Sequence, residues 1–251
     1  MAGVFQLITC TLHWNSRRSC YNKKMPRKRP LNVEINLDQV LRAQGGDPEI
    51  LKARKPQLVD TARRAVQLAI PLLDPQFVFE EYLVTGVSHS RVLLNGPSDL
   101  VGEGVAGVLA QSQDITAVVA TIGGGIEQIS SEYYEKDPVL SLALDACGTV
   151  AVEQLVVEIC RKMEEDHLMG GRYTSIPYSP GLDGWDVASS QKQIFALVDA
   201  VSIGVRLTDE FMMLPQKTSS FVIGLSRKPF EKSSTCDYCQ MRSTCRYREH
   251  R

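Results

Sequence analysis

No run of about 18 apolar residues occurs in the chain, so the sequence presents no obvious membrane-spanning segment. The mildly apolar start, Val4 to Cys10, has no basic residues ahead of it and a basic stretch behind it, the reverse of a signal peptide. The glycine turn at Gly123-Gly124-Gly125 is neither a G-x-G-x-x-G fingerprint nor a Walker loop. No nucleophile, histidine and acid stand at a recognisable hydrolase spacing. Internal repeats are absent. Acidic residues are missing from residues 1–30, which hold seven Lys/Arg. Nor do the cysteines form an even set: there are seven, three of them near the C-terminus. That usage suits thiolate ligands in a reducing cytoplasm better than a secreted disulfide framework.

Hydrophobic residues make up 43% of the chain, enough for a substantial core. The net charge of -1 is unevenly spread. Residues 227–251 carry seven Lys/Arg against three acids, so an acidic body lies between two basic ends. We expect three segments: a basic, disordered leader over 1–30, a folded domain over 31–226 and a Cys-rich metal-binding tail over 227–251. The leader's charges read as a solvated tail, or as the product of an upstream start with Met25 the true one. Charge runs alone carry no readout, so no nucleic-acid partner is expected.

Val33 to Leu37 alternates like a strand, and Asp38 is placed to cap a short helix ending at Gly45-Gly46. A helix is expected from Pro56, with Leu58, Ala62, Ala65, Val66, Ala69 and Ile70 at helical spacing and Pro71 stopping it. Phe77–Val84 and Ser90–Leu94 read as two strands joined by a short turn, Leu100–Gln111 as a helix and Ile115–Ile122 as a buried strand. After Asp137-Pro138, a cap and first-turn pair, an apolar stripe runs from Leu140 through Leu144, Cys147, Ala151, Leu155 and Ile159 to Met163. Another helix should start after Ser190, with Ile194, Leu197, Val198 and Val201 inward. Phe221–Leu225 is a late strand. Without a strict βαβ rhythm, the fold class is α+β (mixed α/β) rather than Rossmann.

Three constellations can carry chemistry. Gly123, Gly124 and Glu127 lie in a glycine turn leading from a strand into a helix, where a backbone can approach a ligand or simply turn tightly. In Pro177–Trp185, Pro180 and Gly181 suit the centre of a type II turn, and the aromatics Tyr178 and Trp185 offer stacking surfaces or packing. Cys236, Cys239 and Cys245 form C-x2-C-x5-C. The first pair reaches one metal from a tight turn and the third thiolate completes one side. Zinc and iron–sulfur clusters both usually take four ligands. The fourth would come from His250, Cys147, Cys160, a partner or an exogenous ligand. His89 and His167 look isolated, and Asp145, Glu153 and Glu127 read as exposed helix carboxylates.

In order along the chain, these motifs resemble the S-adenosylmethionine-binding activation domain of vitamin B12-dependent methionine synthase. The stretches are Thr121-Ile122-Gly123 with Glu127, Asp145-Ala146-Cys147-Gly148 with Glu153, Tyr178-Ser179-Pro180-Gly181 with Trp185, and Gln191–Phe195. Ile203-Gly204-Val205, Leu207-Thr208 and Met213–Ser220 follow, so the resemblance spans about residues 31–226. It implies a curved single domain with a twisted antiparallel sheet and long flanking helices. It also implies a groove for S-adenosylmethionine at Gly123, Gly124, Glu127, Tyr178, Ser179, Pro180 and Gly181, facing cobalamin on the partner. The chain departs from the family at that loop. Pro177 and Leu182 stand where the family commonly has Arg and Tyr, and Pro cannot supply a bidentate donor to a carboxylate. Arg172 is the candidate replacement.

Homocysteine-, folate- and cobalamin-binding modules are missing, so the chain is not a complete methionine synthase. The expected role is an accessory of cobalamin-dependent methyl transfer. It would dock on a corrinoid protein or cobalamin-dependent methionine synthase and support its reductive reactivation, with an iron–sulfur or zinc site in the tail. The other readings are a non-catalytic binding module or split-synthase subunit with structural zinc, and a direct S-adenosylmethionine-dependent methyltransferase.

Overall fold

The computed structural model describes residues 31–231 and 233–245. The leader 1–30 and His250 lie outside them. The chain builds helices α1 (Leu37–Ala43), α2 (Pro48–Arg54), α3 (Pro56–Ala69), α4 (Glu103–Val108), α5 (Gly125–Tyr133), α6 (Pro138–Met169) and α7 (Val187–Leu197). Its strands are β1 (Gln76–Ser88), β2 (Arg91–Leu94), β3 (Leu100–Val101), β4 (Asp114–Thr121), β5 (Tyr173–Thr174), β6 (Arg206–Leu207), β7 (Met213–Leu214) and β8 (Thr218–Ser226). Six of them form one sheet in the order β3-β2-β1-β4-β8-β5, every pairing antiparallel, and β6-β7 is a separate hairpin. The fold is thus α+β, as expected.

β1 is long enough to serve two partners. Its first half pairs with β4 from Gln76↔Thr121 to Leu83↔Asp114, and its second half with β2. The register slips between Val84 and Gly86, a bulge of the kind that bends a strand and re-aims its pairing.

The central strands are apolar on both faces because both are covered. On one face Val118, Ala120, Ile122, Phe221 and Ile223 pack against α1, α3, α5 and α6. On the other, Ala117, Val119, Val222 and Val78 pack against α4, α7, Tyr178 and Trp185. α6 has 32 residues, and the Asp137 carboxylate accepts from the Leu140 N–H at its start. By length and composition it alone among the described helices could cross a bilayer, yet more than half of its most apolar window is buried against the domain. Small residues on α6 (Ala143, Cys147, Ala151) and α3 (Ala62, Ala65, Ala69) belong to the same core and let the two helices approach closely.

Four expectations are corrected. Val33–Leu37 does alternate in burial, but up to Asn36 it is an unpaired extended segment rather than a strand. The cap of α1 is Asn36, whose side chain accepts from the N–H groups of Asp38 and Gln39. The helix foreseen after Ser190 starts at Val187 under an Asp186 cap, and Val201, expected inside, is 76% exposed because a 3-10 turn over Ala200–Ile203 rotates it outward.

Candidate functional site

The glycine turn leaves the end of β4 and enters α5. Its Gly123 N–H donates to Thr121 Oγ1 at 3.1 Å. Beside it runs the segment Pro215–Thr218, which follows a cis Leu214-Pro215 bond. Glu127, in the first turn of α5, accepts from the Lys217 N–H at 2.7 Å, and Thr218 Oγ1 bonds Thr121 Oγ1 at 3.0 Å and the Pro215 carbonyl at 2.7 Å. Lys217 Nζ continues to Asp145 at 2.7 Å and Thr149 at 3.1 Å on α6. A Cβ on Gly148 would lie 3.0–3.2 Å from the Lys217 stem, so a glycine inside this helix marks a close approach. The turn is therefore locked to the β7–β8 connection and to α6. Asp145, expected as a plain exposed carboxylate, is the ion-pair partner of a lysine that is itself largely buried.

The second candidate, Pro177–Trp185, lies over the opposite face of the sheet. Tyr178 makes a bridge to Val222 of β8, with mutual N–H donations of 2.9 Å. Ser179–Leu182 is a turn closed by the Leu182 N–H on the Ser179 carbonyl at 3.2 Å, with Gly181 at φ 89°. Pro then Gly at its centre is the type II pattern, which needs positive φ at its third residue. The aromatics face inward. Tyr178 is fully buried, Trp185 is 1% exposed, and their ring centroids are 6.0 Å apart. The Tyr178 hydroxyl donates to the Asp183 carbonyl, and burial pushes its pKa up to about 12. Neither ring is a free stacking surface. The loop is pressed onto α4 at Gly104, where a Cβ would collide with the Asp183 carbonyl and the Tyr178 hydroxyl. On the surface are Gly181, Asp183 and Gly184, with Ser179 and Pro180 half-buried. β8 joins the two candidates: Thr218 meets the glycine turn, Val222 meets Tyr178, and Ser220 between them donates to Gln191 Oε1 of α7 at 3.0 Å.

Arg172 is drawn elsewhere. α6 ends with Gly171 N–H on the Leu168 carbonyl and Arg172 N–H on the His167 carbonyl, a Schellman arrangement that sets Arg172 beside His167. Its guanidinium donates to His167 Nδ1 at 2.9 Å and approaches Asp114 at 3.4 Å and Glu81 at 3.6 Å. A guanidinium only donates, so Nδ1 must accept and the proton sits on Nε2, which faces Glu81 at 3.6 Å. Burial, then the Arg172 charge, lowers the His167 pKa to about 4, while burial above all raises that of Glu81. His167 is thus a neutral member of a four-residue cluster rather than the isolated residue expected.

The cysteine tail folds back over the Pro177–Trp185 loop. A 3-10 turn, Thr235–Tyr238, carries Cys236 and leads into Cys239, and the Asp237 carboxylate accepts from both the N–H and the hydroxyl of Ser234. The Tyr238 carbonyl accepts from the Asp183 N–H at 3.0 Å, and the Tyr238 ring meets Tyr178 edge-on at 5.5 Å. Thr235 Oγ1 donates to the Pro177 carbonyl at 3.4 Å, and Gln111 Nε2 to that of Pro229 at 3.3 Å. Under this strap is a cavity of about 310 Å3 lined in part by Gln111, Ser175, Phe230 and Tyr238. Cys236 is exposed, and Cys239 and Cys245 are half-buried. Among the described residues no three His, Cys, Asp or Glu side chains converge as a metal site. Cys147 and Cys160 drop out as a fourth ligand. Both belong to the α6 face, with the sheet between them and the tail, and burial pushes both thiols up to about 12.

The sequence placed Lys217 in a motif without its contacts to Asp145 and Thr149, and Tyr238 and the His167–Arg172 cluster were missed as organising residues. Gly148 inside a helix was a readable signal for Lys217; Tyr238 had none beyond its place between two cysteines.

Residues 107–228 match the family described as vitamin B12 dependent methionine synthase, activation domain. Among solved structures, a crystal structure of the MetH reactivation domain bound to AdoHcy aligns with a TM-score of 0.54 at 16% identity, covering 83% of this chain and 80% of that one. At that identity the likeness speaks for the fold. No curated protein matches the chain. The matched segment runs from the end of α4 through β8 and so contains the glycine turn, the Ser-Pro-Gly loop and the Lys217 segment; over that stretch the chain is similar to the vitamin B12-dependent methionine synthase activation domain.

Proposed function

We propose that this protein is an accessory of cobalamin-dependent methyl transfer. It docks on a corrinoid protein or cobalamin-dependent methionine synthase in the cytoplasm and supports its reductive reactivation, while Cys236, Cys239 and Cys245 hold an iron–sulfur cluster or zinc. The observation that carries this reading is the tail's attachment to the Pro177–Trp185 loop through Tyr238, which joins the cysteines to the activation-type domain. The cation itself gathers the thiolates, as metal sites often form only on binding. The remaining position falls to His250, to the partner or to an exogenous ligand.

S-adenosylmethionine, which the family implies, fits this chain poorly. Its carboxylate calls for a planar donor, but Pro177 has none and Arg172 is committed to Glu81, Asp114 and His167. The exposed glycines Gly124 and Gly181 are what these two turns still offer a ligand. No step of the proposed function is routed through the nucleoside.

The test is metal analysis and an absorption spectrum on protein purified without oxygen, beside a variant with all three tail cysteines changed to Ser. Cob(II)alamin reduction on a corrinoid protein is then followed. Iron and sulfide lost in the variant, with stimulated reduction, is the expected result. Zinc without redox activity moves the protein to the binding-module reading. No stimulation of cobalt reduction overturns the reactivation role.

A further inference from the structure

Tyr238 sits between two candidate metal ligands and is also the residue that touches the Ser-Pro-Gly loop. Its neighbours Cys236 and Cys239 flank a tight turn in which the Cys239 N–H faces the Cys236 carbonyl at 3.4 Å. Its own carbonyl takes the Asp183 N–H, and its ring closes over Tyr178, whose hydroxyl holds the Asp183 carbonyl from the other side. Asp183 is thus gripped through both its backbone groups, one by the tail and one by the domain. The rest of the loop hangs from the same point, since Trp185 N–H bonds the Leu182 carbonyl and Gly181 N–H the Trp185 carbonyl.

We infer that Tyr238 is a positioning residue that makes cation binding at Cys236 and Cys239 and ordering of the Ser179–Trp185 loop one linked equilibrium. This rests on the metal-binding part of the proposed function. A cation shared by the two thiolates restricts the Thr235–Tyr238 turn, and a restricted turn holds Tyr238 against Tyr178 and Asp183. Linkage is reciprocal: whatever factor the cation adds to loop ordering, the ordered loop adds to cation affinity. The tail's other described hydrogen bonds to the domain include those of Thr235 to the Pro177 carbonyl and of Gln111 to the Pro229 carbonyl, neither of which reaches residues 179–185.

The probe is zinc alone, added to the reduced full-length protein. Its affinity is read by competition with a chromogenic chelator, and loop order by amide exchange over residues 179–185. In the wild type, zinc is expected to slow exchange at Gly181, Leu182, Asp183 and Trp185. In Tyr238→Ala, zinc should still bind, about fivefold more weakly, the low end of typical couplings between sites, and should no longer slow the loop. Tyr238→Phe keeps the ring and should keep the coupling, which separates it from mere loss of fold. A Cys236→Ser/Cys239→Ser variant should stay at the metal-free rate. If zinc does not bind the wild type, the metal-site reading itself fails. If zinc binds and the loop exchanges at an unchanged rate, or if Tyr238→Ala responds like the wild type, the coupling is overturned.

Discussion

The two faces of the central sheet are built on different principles. One is covered by α1, α3, α5 and α6, whose buried residues recur at helical spacing. The other is covered by two shorter helices, α4 and α7, a turn-rich loop and the tail, whose buried residues come from short elements distant in sequence. Gly104 lies against Asp183, Gln191 against Ser220, and Tyr238 against Asp183. A face made by periodic local sequence tolerates change at any one position. A face assembled from short elements depends on where distant segments meet, and the candidate loop and the cysteine tail are both on it.

The sharpest way to break that comparison is Trp185→Ala. Trp185 is 1% exposed at the root of the loop, and removing a buried ring of this size costs about 3–5 kcal/mol. Leu155→Ala, fully buried on α6, serves as the match at about 2–5 kcal/mol. Urea unfolding should find Trp185→Ala at least as damaging as Leu155→Ala. A loss under about 0.5 kcal/mol, the scale of a surface change, would make the loop face a peripheral cover.

Glu127→Ala comes next. Its carboxylate holds the Lys217 backbone at 2.7 Å, and a hydrogen bond to a charged group is worth about 1.5–3 kcal/mol. The effect should show in unfolding and also in faster exchange at the Lys217 amide. Asp145→Asn, on the exposed side of the same cluster, should cost less, because its partner reaches it at the surface. Equal losses would mean that the Lys217 side chain, rather than its backbone, anchors the β8 entry.

The pH profile reports on the α6 terminus. His167 has its pKa lowered from 6.5 to about 4, so the unfolded chain takes up a proton in that window and the native state does not. Its contribution to stability is complete above pH 6.5 and is lost as pH falls from 6.5 towards 4. Glu81, with its pKa raised, acts in the opposite sense: it favours the native state at low pH and less so as pH rises through its folded value. The melting temperature of the wild type should therefore drop on acidification more than that of His167→Gln. Parallel profiles for the two proteins would remove His167 as the cause.

The same contrast explains what was legible in the sequence. The stripe Leu140, Leu144, Cys147, Ala151, Leu155, Ile159 and Met163 is buried throughout, because a helix writes its inner face at fixed intervals. The glycine turn and the type II turn were legible because Gly and Pro act on their own backbone. Tyr178 and Trp185 were readable as special but not as buried, since their covering residues, Gly104 and Tyr238, come from distant segments. The link from Arg172 to Glu81, Asp114 and His167 likewise depends on where the end of α6 meets β1 and β4. Alternation at Val33 and Ile35 recorded burial truthfully but could not say whether a neighbouring strand existed to pair with.

That last point has its own small test, at the first helix. Asp38 lies two positions too far along to cap α1 and instead pairs with Lys52 at 2.9 Å on the surface. Asn36 does the capping, with its side-chain oxygen accepting two N–H groups at 2.9 and 3.2 Å. Losing a cap costs typically about 1 kcal/mol, whereas an exposed ion pair contributes about 0.2–1 kcal/mol and is screened by salt. Asn36→Ala should therefore destabilise the protein by about 1 kcal/mol at any ionic strength. Asp38→Ala should cost less, and its effect should shrink in 1 M salt, where screening reaches to about 3 Å. The reverse ranking would put the cap of α1 at Asp38 after all, two residues beyond Asn36.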